Sequence, residues 1–280
     1  MDWLSGAKIP IGYGMKLVVE FLNTYFSWLF NGISYVLGGG IDFFVDALQA
    51  IPAPLLILFV AALAWWLHRS WRLGLLIALG LLLIVNLGYW KETTETLALV
   101  VAATAISMAI GVPVGIAAAH RPRLYAALRP VLDMMQTIPT FVYLIPTLIL
   151  FGLGVVPGLI STIVFAVPAP IRLTQLGVAG VPRQLREAGE AFGATPRQLL
   201  RKIELPYALP TIMEGLTQTI MLSLSMVVIA ALVGADGLGK PVVRALNTVN
   251  IERGFEAGLA IVIVAIVLDR ICRRPTRRGG

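Results

Sequence analysis

Apolar residues along this chain of 280 residues gather into seven stretches of near-membrane length, approximately 51–67, 73–90, 94–119, 131–154, 157–171, 207–234 and 255–271. Each predicts a transmembrane helix, because a hydrocarbon core of about 30 Å needs about 20 apolar residues in helical form. The first and fifth stretches are short and marked by Pro52, Pro54, Pro157, Pro168 and Pro170, so six spans is the alternative count. The pattern predicts an all-α polytopic membrane protein. It divides into two N-terminal transmembrane helices over 51–90, a core transmembrane unit over 91–272 and a basic tail over 273–280.

Residues 1–50 form a separate N-terminal extension. No basic segment precedes an apolar core and a small-residue cleavage site, so the expectation is neither a span nor a signal peptide. Glu20, Asn23, Thr24, Ser27, Asn31 and Ser34 recur at helical spacing, while Val18, Phe21, Leu22, Tyr25, Leu29, Ile33 and Val36 take the other side. This predicts an amphipathic helix, lying either at the bilayer interface or against the protein's own outer face. Gly38, Gly39 and Gly40 are expected to break it before the first span.

Two of the spans carry polar stripes. In the fourth, Gln136, Thr140, Tyr143 and Thr147 fall three or four residues apart and predict one shared face, with Pro139 and Pro146 kinking the helix. In the sixth, Glu214, Gln218, Met221 and Ser225 repeat the device. Polar groups in hydrocarbon face a bundle interior or a watery path. Two readings stay open for both stripes: a translocation path, or hydrogen-bonded links between neighbouring helices. In the third span Gly111, Pro113 and Gly115 predict close packing and a kink, with a functional hinge as the alternative.

Composition removes whole classes of function. The chain is 58% hydrophobic and 13% charged, against about 45–50% apolar in soluble domains. The net charge of +7 therefore reads as topology signal at the cytoplasmic face, not as nucleic-acid binding. With the amino terminus outside, only Lys8, Lys16, Lys91, Lys240, Arg244 and Arg253 of the 22 basic residues fall outside. That asymmetry predicts amino terminus out and carboxyl terminus in. One cysteine, Cys272, forbids an intrachain disulfide, and two distant histidines, His68 and His120, offer no metal site. Residues 234–241, G-A-D-G-L-G-K-P, have phosphate-loop spacing but place Pro241 where a magnesium-binding hydroxyl belongs, and they follow a span instead of a strand. No catalytic constellation is present, and no cofactor is expected on this chain.

What remains is a polar segment, residues 187–206, E-A-G-E-A-F-G-A-T-P-R-Q-L-L-R-K-I-E-L-P, which the charge count places in the cytoplasm within a loop over 173–206. Pro182 stands near the start of a helix ending at Gly193, and Thr195 with Pro196 supplies an N-cap and first helical residue for another, expected to stop before Pro206. A helix, a glycine turn and a second helix at the membrane surface make a docking handle. Ala188 and Gly189 would let a partner approach closely, with Arg186 and Glu187 offering charge at the rim.

The spacing of Glu187, Ala188, Gly193, Ile203, Leu205 and Pro206 resembles the E-A-A, then G, then I-x-L-P signature of permease subunits of ABC importers. Gly189 departs from it where the signature favours Ala. M-Q-T-I-P-T-F-V-Y-L-I-P at 135–146, the run from Leu209 to Ala231, and G-F-E-A-G-L-A-I-V-I at 254–263 are similar to the glycine betaine, choline and proline-betaine permeases. The segment from Gly234 to Asn250 looks most like choline-type members. The resemblance implies a type I-like ABC importer transmembrane domain working as a homodimer in the bacterial inner membrane. It also implies two cytoplasmic ATPase subunits carrying ATP and magnesium, and an extracytoplasmic binding protein that delivers the solute. The competing classes are a channel with a regulatory docking loop and an ion-gradient-driven secondary transporter with Glu214 as ion partner.

Overall fold

The computed structural model describes residues 11–272. The basic tail and the first ten residues, including Lys8, lie outside the described residues. Thirteen helices follow in order: α1 Ile11–Ala50, α2 Ala53–His68, α3 Trp71–Asn86, α4 Trp90–His120, α5 Pro122–Thr137, α6 Thr140–Phe151, α7 Val155–Ala166, α8 Pro168–Ala179, α9 Arg183–Ala191, α10 Pro196–Leu199, α11 Leu205–Ala231, α12 Gly239–Asn247 and α13 Ile251–Cys272. A widened π turn, Leu200–Glu204, joins α10 to α11.

Four continuous helical stretches are long and apolar enough to cross a membrane, namely 12–50, 90–120, 155–179 and 196–231, or five with α5 and α6 taken as one broken span. α2 and α3 are apolar but shorter. α13 is long enough, but Glu256, Asp269 and Arg270 dilute its apolar run.

α4, α8 and α11 form the centre, with α7 and α13 packed on them. The largest apolar cluster draws Ile77 and Ile84 of α3, Leu99 of α4, Leu224 and Val227 of α11 and Val264 of α13 into one core. Close approach of α4 to α8 depends on missing side chains. A Cβ on Gly111 would lie 2.6 Å from Cγ of Pro170, and one on Gly115 would lie 2.7 Å from the Ile171 carbonyl oxygen. Here the structure agrees with the close packing read from those glycines.

The N-terminal extension differs from expectation. α1 runs without interruption through Gly38, Gly39 and Gly40, and its length and composition are those of a span. Each interior glycine costs about 1 kcal/mol of helix propensity. Leu37, Ile41 and Val45 offset this by packing on Ala98, Ala103 and Leu159 of α4 and α7. Val18, Phe21, Tyr25, Leu29 and Val36 are exposed, so the apolar side faces outward and a narrow strip beside it meets the bundle.

The fourth span is also different. α5 and α6 meet at 95°, because Pro139 pushes Ile138 into extended geometry, φ −63° and ψ 130°. Pro139 has no N–H to offer the Met135 carbonyl four residues back. The Tyr143 hydroxyl donates to that oxygen instead, at 2.7 Å. Gln136 therefore lies on α5, apart from Thr140, Tyr143 and Thr147 on α6. The fifth span extends past its expected end at 171 to Ala179, with Val167 still in helical geometry between α7 and α8.

Candidate functional site: the loop between α8 and α11

Between α8 and α11 the chain builds the expected helix, turn and helix from local chemistry. Pro182, at φ −54° and ψ 136°, precedes α9. Gly193 ends it at φ +77°. The Ala194 N–H donates to the Gly189 carbonyl at 3.0 Å and the Gly193 N–H to the Glu190 carbonyl at 2.9 Å. These two bonds are the Schellman closure, which requires a left-handed residue and hence favours glycine. Thr195 then caps α10. Its hydroxyl accepts from the Gln198 N–H at 3.4 Å, and its own N–H donates to Gln198 Oε1 at 2.8 Å. This is a reciprocal capping box.

The second helix does not stop before Pro206. It continues through the π turn into α11, making one stretch from Pro196 to Ala231. The Leu205 N–H reaches back five residues to the Leu200 carbonyl, and that wider turn gives room for a proline ring that an α-turn would reject.

Side-chain directions revise the handle. Gly189 is buried, and a Cβ there would stand 2.5 Å from Cδ1 of Ile203 and 2.8 Å from Cδ1 of Leu199. It faces the second helix, not a partner. A methyl at 189 would have to shift the side-chain ends of Ile203 and Leu199, so this position belongs to the packing inside the loop. Arg186 also turns inward, donating from Nη2 to the Val178 carbonyl at 2.5 Å and lying 3.1 Å from Glu204. Glu187 stays at the rim, 2.6 Å from Nε of Arg183 with both exposed, and Ala188 is exposed beside it. Leu205 packs with Val178, Ala208 and Ile212, rooting the loop in the bundle, and Pro206 is exposed.

Three residues outside the sequence-derived set belong to this region. Phe192 projects from the tip with 93% of its surface exposed. Its place just before the turn glycine was the available sign. Glu204 and His120 meet beneath the loop at 2.8 Å, a contact across 84 residues that no local spacing announces.

The two polar stripes part company. Thr147 is buried and shares a 2.8 Å hydrogen bond with Ser161 of α7, so it links neighbouring helices. Thr140 and Tyr143 are half-buried, as is Gln136 on α5. On α11, Glu214, Gln218 and Ser225 are exposed along one face with Met221 half-buried among them. At the far end of α4 a cleft of about 470 Å³ is lined by Glu92, Glu95, Asp236, Lys240, Arg244 and Glu256. Burial and then the Glu256 carboxylate hold the phenol of Tyr89, also on its wall, above its usual range. The phosphate-loop lookalike lies here: Lys240 pairs with Asp236, and the Leu238 N–H donates to Thr96 Oγ1 at 2.8 Å. Lys240 is thus committed to its own turn.

A bundle of apolar helices long enough to cross a bilayer, with a capped loop projecting between two of its central members, has the build of a multi-pass membrane protein. The chain belongs to the family of binding-protein-dependent transport system inner membrane components, whose pattern matches residues 111–274. It is 46% identical over 264 residues to the glycine betaine transport system permease protein OpuAB of Bacillus subtilis, covering 94% of this chain and 93% of that one. It is 43% identical to the glycine betaine/proline betaine permease ProW of Escherichia coli, covering 100% of this chain and 80% of that one. The choline permease OpuBD of Bacillus subtilis is 35% identical over 158 residues, covering 56% of this chain and 67% of that one. The choline-type likeness is thus the more distant. Among solved structures, the inward-facing MetNI methionine ABC transporter matches with TM-score 0.58 and 29% identity, covering 65% of this chain and 94% of that one.

Proposed function

We propose that this chain is the membrane-spanning subunit of an ATP-driven importer of quaternary ammonium osmolytes of the glycine betaine kind. The observation that carries the reading is near-full-length identity to permeases named for glycine betaine, held together with a capped loop that matches the coupling signature. In this reading two copies of the chain form the pathway, and two cytoplasmic ATPase subunits with ATP and magnesium seat against the loop. A separate extracytoplasmic binding protein delivers the solute to the face that carries the charged cleft. The loop and the carboxyl terminus are inside, as the distribution of Lys and Arg supports.

Docking falls to Phe192, Ala188 and Glu187, with Gly193 shaping the tip, while Gly189, Ile203, Leu205 and Arg186 hold the loop's internal geometry. Glu214, Gln218, Met221 and Ser225 face the second copy and, with Gln136, Thr140 and Tyr143, line the path. Thr147 holds α6 to α7 instead. The test is uptake of labelled glycine betaine into proteoliposomes containing the permease, its ATPase and its binding protein. Uptake requires internal ATP; accumulation driven by an ion gradient without ATP overturns the reading.

A further inference from the structure

The hairpin of α2 and α3 has no role in the importer reading, yet it gathers charge and aromatic surface at one point. Residues 51–90 contain no Asp or Glu, and their basic side chains, His68, Arg69 and Arg72, all stand at the turn between the two helices. Arg69 and Arg72 are exposed, as are Trp65, Trp66 and Trp71 around them. Nε2 of His68 is buried with no hydrogen-bond partner, so the turn keeps an unsatisfied polar atom beside its uncompensated charge.

Two features of the backbone work against cations here unless an anion meets them. Arg69 stands at φ +49°, the left-handed region that suits glycine. Arg72 occupies the first turn of α3, where the helix dipole disfavours positive charge. A third arginine joins them from α13. The end of α3 and the start of α13 border the same charged cleft, so the two helices run in opposite directions. A Cβ on Gly80 of α3 would lie 2.9 Å from Cγ2 of Ile263, and the distance back to Leu73 equals the distance on to Arg270. Arg270, exposed, is therefore level with the first turn of α3. Asp269 beside it is buried and already engaged.

Depth identifies what the arginines meet. α3 has 16 residues, a rise of about 24 Å, whereas α4, starting at the same cleft after a short turn, has 31, about 46 Å. His120 at the far end of α4 touches the root of the coupling loop, so the hairpin tip stops roughly 20 Å short of that loop and of any protein seated on it. A hydrocarbon core of about 30 Å exceeds the rise of α3 by about 6 Å. Arginines at the tip bridge that gap along their own aliphatic stems, and tryptophan rings fill the boundary layer.

We propose that the tip of the α2–α3 hairpin and the end of α13 form a binding site for an anionic phospholipid. The guanidinium groups of Arg69, Arg72 and Arg270 hold the lipid phosphate, whose oxygens match their fork of donors. Trp65, Trp66 and Trp71 stand beside the glycerol and upper acyl chains. In the orientation proposed above this is the cytoplasmic leaflet. A lipid with net negative charge is preferred over a zwitterionic one, whose ammonium would stand against the arginines.

The test uses the full chain in vesicles, carrying Trp3→Phe, Trp28→Phe and Trp90→Phe so that fluorescence reports the three tryptophans of the hairpin. Phosphatidylglycerol or phosphatidylcholine brominated high on the acyl chain replaces unbrominated phosphatidylcholine in steps, and quenching gives their relative affinity. Phosphatidylglycerol is favoured by at least about fivefold, the effect of one basic residue at an anionic surface. Arg69→Gly with Arg72→Gln and Arg270→Gln abolishes the preference, while quenching by phosphatidylcholine and the helical circular dichroism stay unchanged. Glycine suits the backbone at position 69, so the loss is not one of fold. Replacement of the same three arginines by lysine retains a preference. Arg197→Gln with Arg201→Gln and Lys202→Gln removes equal charge from the coupling loop and leaves the preference intact. Equal quenching by the two lipids in the parent protein, a preference that survives removal of the hairpin charges, or an equal loss in the loop control each overturns the proposal. No arm requires transport, so failure here leaves the importer reading standing, and absence of ATP-dependent uptake leaves this site standing.

Discussion

Gly115→Ala tests whether the centre of the bundle is set by backbone contact between α4 and α8. The new Cβ would lie 2.6 Å from Cβ of Thr174 and 2.7 Å from the Ile171 carbonyl oxygen, where ordinary carbon contacts are about 3.5–4.0 Å. The helices must part by roughly 1 Å, since neither obstacle is the end of a flexible side chain. Overpacking of this kind costs about 1–3 kcal/mol, and the gain in helix propensity from glycine to alanine returns about 1 kcal/mol. With backbone as the obstacle the upper end applies, leaving a net loss of about 2 kcal/mol, or about 30-fold in the ratio of folded to unfolded protein. Gly258→Ala on α13 is the control, because nothing lies within 4 Å of the added methyl. It gains up to about 1 kcal/mol by the same propensity. Equilibrium unfolding in mixed micelles should move the two midpoints in opposite directions. A Gly115→Ala protein that unfolds at or beyond the wild-type midpoint refutes the packing argument.

The remaining predictions concern the loop and the extension. Phe192→Ala removes the most exposed aromatic of the loop tip and should weaken pull-down of the ATPase about tenfold or more, as loss of an interface anchor does, with membrane insertion unchanged; undiminished pull-down would remove Phe192 from the docking surface. Gly193→Ala places a side chain at φ +77°, costing about 1–2 kcal/mol locally, so proteolysis at the loop should accelerate while the bundle's unfolding midpoint holds. Gly39→Ala meets nothing within 4 Å and should raise the thermal midpoint; a fall would show that α1 is bent there in the membrane.

Much of this was legible because membrane helices are written as hydrocarbon and the loop as capping chemistry. Gly193, Thr195 and Pro196 act locally, as a left-handed closure, an N-cap and a first helical residue, so their order along the chain gave the turn without tertiary information. The directions of Arg186 and Gly189 were not legible in the same way. Both lie on α9, and which face of a nine-residue helix turns inward is decided by Ile203, Leu199 and Glu204 on another segment. The bend at Pro139 follows the same rule. A proline in a span kinks or breaks it according to whether the freed carbonyl finds a donor, and here the donor is Tyr143, beyond the break. In α1, three consecutive glycines read as a stop because their cost is local, whereas the contacts that offset it come from residues more than fifty positions away.

The continuity of the helix through Pro206 matters most for how the two ends of the molecule communicate. An α-helical rise of about 1.5 Å per residue over the 36 residues from Pro196 to Ala231 makes a rod of roughly 54 Å. One end is the second helix of the loop, and the other leads into the turn whose Leu238 N–H is held by Thr96 of α4. Thr96 passes its own hydrogen to the Glu92 carbonyl at 2.8 Å, beside the charged cleft. Had the loop ended before Pro206, a flexible joint would have separated docking from the bundle, and displacement of the loop would dissipate there. The π turn instead keeps the backbone helical while admitting the proline, and it places Glu204 where α4 and α9 can both grip it.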